Sequence, residues 1–231
     1  MPLDKSRIQA RVRIILDPLA GLILRMGFSP DALTLAGLIL SIISGLNIAR
    51  GNFTTAAILL LISGLCDMLD GTMARLGQRA SRRGAFLDST FDRLSEIALY
   101  TGLFYFYRDR SVILQLMVIL TLTGSLMTSY ARARAEGLQV ECKVGLLERP
   151  ERLILLILGL FLAPWRIKGF GILELLVGFL AIFTYITTFQ RILHVVGKTG
   201  PRFESAESQT EEEIGAPEAE DQVLGAKEKA D

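Results

Sequence analysis

Six apolar stretches, at 32–50, 54–75, 85–107, 111–134, 151–164 and 169–193, leave this chain few folds to choose from. About 20 helical residues cross the hydrocarbon of a bilayer, whereas isolated strands cannot, because their backbone groups would stay unpaired there. The stretches therefore predict an all-α integral membrane protein with six transmembrane helices. The second is apolar only as far as Cys66, and the fifth is short and stopped by Pro164. With 51% apolar residues and a positive mean hydropathy, the chain has less polar surface than a water-soluble domain needs. Its two cysteines, Cys66 and Cys142, lack the spacing of a metal knuckle or a disulfide framework and are expected to be reduced.

Charge collects outside these stretches. Ile8, Val12, Ile15, Leu19, Leu22 and Ile23 recur at helical spacing among Lys5, Arg7, Arg11 and Arg13, which predicts an amphipathic juxtamembrane helix over about residues 5–25. A signal peptide fits poorly, since Asp17 and Pro18 interrupt the apolar run and no small-residue cleavage site follows. Residues 1–197 thus read as one membrane-embedded domain. Residues 198–231, rich in Glu, Ala, Lys and Ser, read as a disordered charged tail. Of 25 Lys and Arg, only Arg50, Arg108, Arg110, Arg166 and Lys168 fall on the side opposite the termini. By the positive-inside bias, both termini and the loops near 76–84 and 135–150 face the cytosol of a cell membrane.

Four carboxylates stand where membrane helices rarely carry any: Asp67 and Asp70 in the second stretch, Asp88 and Asp92 in the third. Each costs about 2.5–3.5 kcal/mol at mid-membrane, so together they demand compensation. Asp67 and Asp70 are i,i+3 and Asp88 and Asp92 are i,i+4, so each pair shares one helix face. A short loop joins the two helices, predicting antiparallel neighbours whose acidic faces meet. Oxygen-only donors suit a hard divalent cation, Mg²⁺ or Mn²⁺. Gly71, Ala74 and Gly84 leave room on the same faces, and Arg75 follows at the cytosolic end, placed for a phosphate. An EF-hand is excluded, because the alternating Asp/Asn positions are missing.

The segment Asp67-x2-Asp70-Gly71-x2-Ala74-Arg75-x8-Gly84-x3-Asp88-x3-Asp92 resembles, at every fixed position, the signature of the CDP-alcohol phosphatidyltransferase family. The resemblance implies six transmembrane helices behind a juxtamembrane helix, a homodimer, and transfer of a phosphatidyl group from CDP-diacylglycerol with release of CMP. It also implies roles. Asp67, Asp70 and Asp88, with Asp92, would hold two divalent ions and the donor diphosphate. Gly71 and Ala74 would border the cytidine, Arg75 would touch phosphate, and Gly84 and Thr34 would complete the CDP-lipid site. Asp92 would be the base that takes the acceptor's proton.

Arg132, Arg134, Arg152 and Arg191 are expected at the cytosolic rim near the carboxylates, which suits an anionic acceptor. The stretches around them, with Ser29-Pro30-Asp31-x2-Thr34, resemble the bacterial branch of the family that uses inositol 1-phosphate. That resemblance would place Arg134, Pro150 and Arg191 around the acceptor phosphate with Arg132 close by, although Lys is common at the position of Arg132. Glycerol 3-phosphate is the alternative acceptor, because enzymes that use it carry a similar Arg-x-Arg-x-Glu stretch.

Blander readings stand beside these. Arginines at cytosolic helix ends follow from topology alone. Glu96 is expected to pair with Arg93, Cys66 to pack, Glu174 to be solvated at the far interface, and His194 to lie at headgroup level. An intramembrane prenyltransferase would need two separate Asp-rich motifs, and a cation transporter would need repeats or acids reaching both faces; neither pattern is present. Nothing points to nucleic acid.

Overall fold

A computed structural model describes residues 5–77, 81–167 and 169–199. Seven helices account for nearly all of it: α1 (Lys5–Arg25), α2 (Pro30–Ala49), α3 (Phe53–Leu76), α4 (Arg82–Tyr107), α5 (Val112–Gly137), α6 (Arg149–Phe161) and α7 (Ile172–Lys198). A two-residue antiparallel ribbon, β1 (Arg166–Ile167) with β2 (Phe170–Gly171), joins α6 to α7. The chain reverses there through Gly169, whose φ of +88° a glycine adopts without steric cost. This ribbon stands where the sequence reading began its last helix. The expected disordered tail, from residue 200 on, lies outside the described residues.

The helix starts follow local chemistry. Ser29, Ser81 and Ser111 cap α2, α4 and α5, each accepting a backbone N–H three residues on, at 3.2, 3.0 and 3.3 Å. Pro30 opens α2, where a missing N–H costs nothing. Glu174 is not merely solvated: its carboxylate accepts the Gly171 N–H at 3.1 Å and closes the first turn of α7.

Four helices, α2, α3, α5 and α7, are long and apolar enough to cross a membrane. Helix α4 has the length, at 26 residues, but carries charges through its first half; α6 has only 13 residues. The bundle is apolar outside, with Leu35, Ile39, Leu61, Ile119, Ile182 and Leu193 among its exposed side chains, while small polar groups lie buried between helices. That arrangement fits lipid as the surrounding solvent.

Contacts between helices depend on missing side chains. A Cβ added to Gly102 of α4 would lie 2.2 Å from the Gly45 carbonyl oxygen of α2, and one on Gly45 would lie 2.4 Å from that of Ala98. Ser41 and Ser63 link α2 to α3 at 2.8 Å, and the Ser63 hydroxyl donates to the Gly37 carbonyl at 2.8 Å. Between α5 and α7, Thr121 donates to the Val177 carbonyl at 3.2 Å, and Thr128 meets Thr188 at 2.9 Å. Helix α2 lies along both α3 and α4, and these two share little direct contact. The expected direct pairing of the acidic helices is therefore replaced by a three-helix wall with α2 in its middle, because the glycines draw α2 and α4 together.

Helix α1 packs on α3. Leu16, Ala20, Leu69 and Met73 form a buried cluster joined by Ile23, Leu24 and Leu33. The side chains of Lys5, Arg7, Ile8, Arg11, Val12, Arg13 and Ile15, on which the amphipathic reading rests, lie outside the described side chains; Leu22 is exposed.

Candidate active site

The signature residues gather at one end of the bundle. Helix α3 stays regular past Cys66 although it turns polar there, because α1 covers its Leu69–Met73 face and α2 its other side. Asp67 and Asp70 are thereby held at the bundle interior. Asp70 is 5% exposed, and its Oδ2 atom is buried with no hydrogen-bond partner. Gly37 of α2 faces Asp67: a Cβ there would lie 3.0 Å from Asp67 Oδ1, so the glycine clears the place the carboxylate occupies. Thr34, one turn earlier on α2 and buried, donates its hydroxyl to the Pro30 carbonyl at 3.0 Å.

Asp92 of α4 is brought to Asp67 by a residue the sequence reading passed over. The Nη2 atom of Arg149, at the start of α6, lies 3.0 Å from Asp67 Oδ2 and 2.7 Å from Asp92 Oδ1. In the sequence Arg149 directly precedes Pro150, one residue outside the expected acceptor-phosphate set. Its signal was legible: a cation in the first turn of a helix opposes the helix dipole and therefore needs nearby anions. Asp88 is partly buried and joins no ion pair or hydrogen bond among the described residues.

Around this centre, Gly71 is exposed with open space where its Cβ would be, and Ala74 is partly buried. Arg75 is exposed, and its Nη2 donates to Thr72 Oγ1 at 3.1 Å. Gly84 sits beside the Ser81 cap, where a Cβ would meet Ser81 Oγ at 3.2 Å and Asp31 Oδ1 at 3.6 Å. Arg93 donates to the Ser89 carbonyl on its own helix.

The arginines expected at the rim divide into two kinds. Arg134 and Pro150 are exposed, and Arg132 is exposed and paired with Glu136 at 2.9 Å. Arg191 is instead buried, donating from Nε to the Val144 carbonyl at 2.9 Å and from Nη1 to the Thr128 carbonyl at 2.8 Å. Arg152 departs furthest from expectation. It is 2% exposed, with Nη2 on Glu96 at 2.8 Å and Nη1 on the Leu147 carbonyl at 3.2 Å, while Ser125 donates to the same Glu96 at 2.8 Å. Glu96 thus pairs with Arg152 and not with Arg93, because its position on α4 faces α6 across the bundle interior. An arginine so committed serves the fold before it serves a ligand.

The segment between α5 and α6 is tied down by α7. The Glu141 carbonyl lies 3.1 Å from His194 Nε2 and accepts from Lys198 at 3.4 Å. His194 thus holds a loop. The Lys143 ammonium, hydrogen-bonded to the Glu141 carboxylate, pulls that exposed carboxyl below its usual range.

Among the described residues, no three acidic, histidine or cysteine side chains are drawn together as a finished cation cage. The donor set nevertheless fits a hard divalent ion. It is carboxylate oxygen only, it comes from two helices, and it contains a buried oxygen on Asp70 without a partner. One guanidinium among four carboxylates leaves negative charge to be balanced.

Comparison with known proteins agrees with this chemistry. The CDP-alcohol phosphatidyltransferase family model matches residues 28–193. An archaetidylinositol phosphate synthase of Methanothermobacter thermautotrophicus is 36% identical over 188 residues, covering 80% of this chain and 90% of its own. The phosphatidylinositol phosphate synthase of Mycobacteroides abscessus is 34% identical over 193 residues, covering 81% and 85%. A crystal structure of the Mycobacterium tuberculosis phosphatidylinositol phosphate synthase with CDP-DAG bound has a TM-score of 0.73 at 34% identity, over 81% of this chain and 95% of that one. The same enzyme in complex with manganese and citrate gives 0.72 at 33% identity, over 80% and 90%. With the signature complete, its carboxylates at one end of the bundle and the family model spanning most of the chain, this protein belongs to the CDP-alcohol phosphatidyltransferase family, whose members are enzymes.

Proposed function

We propose that the protein transfers the phosphatidyl group of CDP-diacylglycerol to inositol 1-phosphate, yielding phosphatidylinositol phosphate and CMP. The observation that carries the reading is the approach of Asp67 and Asp92, from two different helices, to a single guanidinium at 3.0 and 2.7 Å. Carboxylates placed so need a cation between them, and the relatives named for an inositol phosphate product support the acceptor.

Asp67, Asp70, Asp88 and Asp92 would hold the divalent ions, Mg²⁺ or Mn²⁺, two of them on this reading. Such ions, when bound, neutralise the donor diphosphate and the charge on departing CMP. Arg75, Gly71, Ala74, Gly84 and Thr34 seat the cytidine diphosphate end. Its exposed guanidinium lets Arg75 reach a phosphate, and the open space at Gly71 admits the ligand. The acceptor's hydroxyl oxygen attacks the lipid-linked phosphorus, the bond from that phosphorus to CMP breaks, and Asp92 receives the hydroxyl proton. Arg132 and Arg134 receive the acceptor phosphate beside the wall that Pro150 forms, and Arg191 reaches it only with Nη2, the guanidinium end nitrogen it does not give to a carbonyl. Arg152 acts behind them, fixing α6 to α4 through Glu96. Positioning and charge placement supply most of the acceleration.

The same reading places all six helices α2 to α7 in the membrane of the cell, with α1 at its cytosolic surface. Both termini and the carboxylate end then face the cytosol, and two chains pair as a homodimer. Helix α4 carries its charges inside the bundle because Arg149 and Arg152 of α6 answer Asp92 and Glu96.

The test is CMP release from CDP-diacylglycerol by the purified protein with Mg²⁺. Inositol 1-phosphate should drive release, free inositol and serine should not, and EDTA should stop it. Release driven by glycerol 3-phosphate alone would keep the chemistry and overturn the acceptor.

A further inference from the structure

We propose that Arg149 is the enzyme's built-in counter-cation. In the metal-free protein it holds Asp67 and Asp92; a divalent ion displaces it, and the freed guanidinium then takes the anionic substrate. The inference rests on the metal-dependent transfer proposed above and deepens it.

The contact is strong enough to order the site and incomplete enough to be given up. One nitrogen, Nη2, serves both carboxylates, at 3.0 and 2.7 Å, so the two-pronged geometry that makes arginine–carboxylate pairs strong goes unused. The Nε atoms of Arg149 and Arg152 are both buried without an acceptor, so the two arginines differ in their other nitrogens and in their exposure. Arg152, one turn further along α6, shows what a permanent structural arginine looks like here: 2% exposed, with Glu96 on one nitrogen and a backbone carbonyl on another. The Arg149 side chain is 28% exposed, which leaves it a way out toward solvent.

Charge also favours the exchange. Asp70 keeps a buried oxygen with no partner, and Asp88 has no cation beside it among the described residues, so Arg149 alone leaves the cluster negative. A divalent ion brings twice the charge and seeks the oxygens of Asp67 and Asp92 that Nη2 now occupies. Both cannot hold the same oxygens at contact distance. Once displaced, the guanidinium stays tethered at the start of α6 next to exposed Pro150, on the side where an anionic acceptor would arrive. Capture of the anion therefore follows loading of the cation.

The experiment uses the full chain in detergent and follows Mn²⁺ uptake from the spectrum of the free ion. Where a competing group closes a site, the apparent affinity falls by the fraction of sites left open. Arg149→Gln should accordingly bind Mn²⁺ about tenfold more tightly than wild type, a gain equivalent to about 1.4 kcal/mol. Arg149→Lys keeps the charge on a smaller head and should fall between the two. It also serves as the measurement if Arg149→Gln does not fold, with unchanged or weaker binding counting against the proposal. Calorimetry with inositol 1-phosphate gives a second readout: Mn²⁺ should tighten its binding to wild type about tenfold, and Arg149→Gln should lose that tightening. Unimproved Mn²⁺ affinity in Arg149→Gln, or full tightening retained, overturns the proposal while wild-type uptake leaves the transfer reading standing. A wild-type protein that takes up no Mn²⁺ overturns the reading itself and the proposal with it.

Discussion

The two walls of the bundle use polar groups in opposite ways. Between α5 and α7, Thr121 and Thr128 bond across the helix pair and Arg191 gives two nitrogens to two carbonyls, while the neutral Gln190 Oε1 is the one buried side-chain polar atom of α7 left without a partner among the described residues. Between α2, α3 and α4 the helices close on glycines and serines, and the charged groups are left short. Asp70 Oδ2 has no partner, nor do Arg149 Nε, Glu151 Oε2 and Arg152 Nε on the adjoining α6, and one nitrogen is shared by two carboxylates. A satisfied wall holds its shape without help, whereas an unsatisfied one is completed only by what binds to it. The protein thus concentrates its electrostatic debt on the side where chemistry is to happen.

The contrast can be broken deliberately. Asp92→Asn strikes the unsatisfied wall and should cut turnover by about 10²–10⁴-fold, the usual worth of a positioned base. CDP-lipid binding, followed by calorimetry, should fall far less than turnover, because Asp67, Asp70 and Asp88 remain to hold the ions; near-normal turnover would remove Asp92 from its role. Glu96→Ala strips Arg152 of its partner inside the bundle and should cost about 3–5 kcal/mol, as loss of one member of a buried pair does. Unfolding in mixed detergent would read this, and a negligible cost would mean that water reaches Arg152. Gly102→Val forces α4 away from α2 and should cost about 1–3 kcal/mol by the same assay. On the satisfied wall, Thr128→Val removes a hydroxyl that meets both Thr184 and Thr188 across the helix pair and should cost only about 0.6 kcal/mol per bond lost. A loss as large as that of Gly102→Val would show that the two walls are equally brittle.

The smallest effect lies outside the membrane. Lys143 keeps the Glu141 carboxyl below its usual range, so whatever this contact adds is present above the ordinary carboxylate range and lost as pH falls through the lowered value. Lys143→Ala should raise the Glu141 titration midpoint, read by carbon NMR, with no change in turnover.

Much of this contrast was legible in the sequence, for identifiable reasons. Helix positions came from apolar runs, and the bounds of α2 and α3 fell within two residues of the expected ones because Ser29-Pro30 and Asn52 punctuate the chain. The carboxylates announced themselves because charge in an apolar run is costly and their spacing shared a face. What stayed hidden was which helix lies between which. Nothing in the acidic segment says that α2 lies against both α3 and α4; that follows from Gly45 meeting Gly102, a contact between residues far apart in the chain. Arginine partners were hidden for the same reason. Arg93 is the near choice for Glu96, but Arg152 arrives from two helices away and is buried together with it. Long side chains report only roughly where they will end, so the rim arginines could not be sorted into ligand-facing and structural ones before the bundle was known.

The hydroxyl groups bear on how such a chain is made. Thr34, Thr72, Thr121, Thr128, Thr187 and Thr188 each donate to a carbonyl four residues earlier on their own helix. A helix of this kind leaves the translocation machinery with its hydroxyls already occupied and can wait in lipid, alone, for its neighbours. The acidic helices have no such self-sufficiency. The cations that answer Asp67, Asp92 and Glu96 sit on α6, which the ribosome makes only after α5 is complete. Until then the nascent chain carries unanswered charge, so one short helix, made late, completes the charge balance of helices made before it.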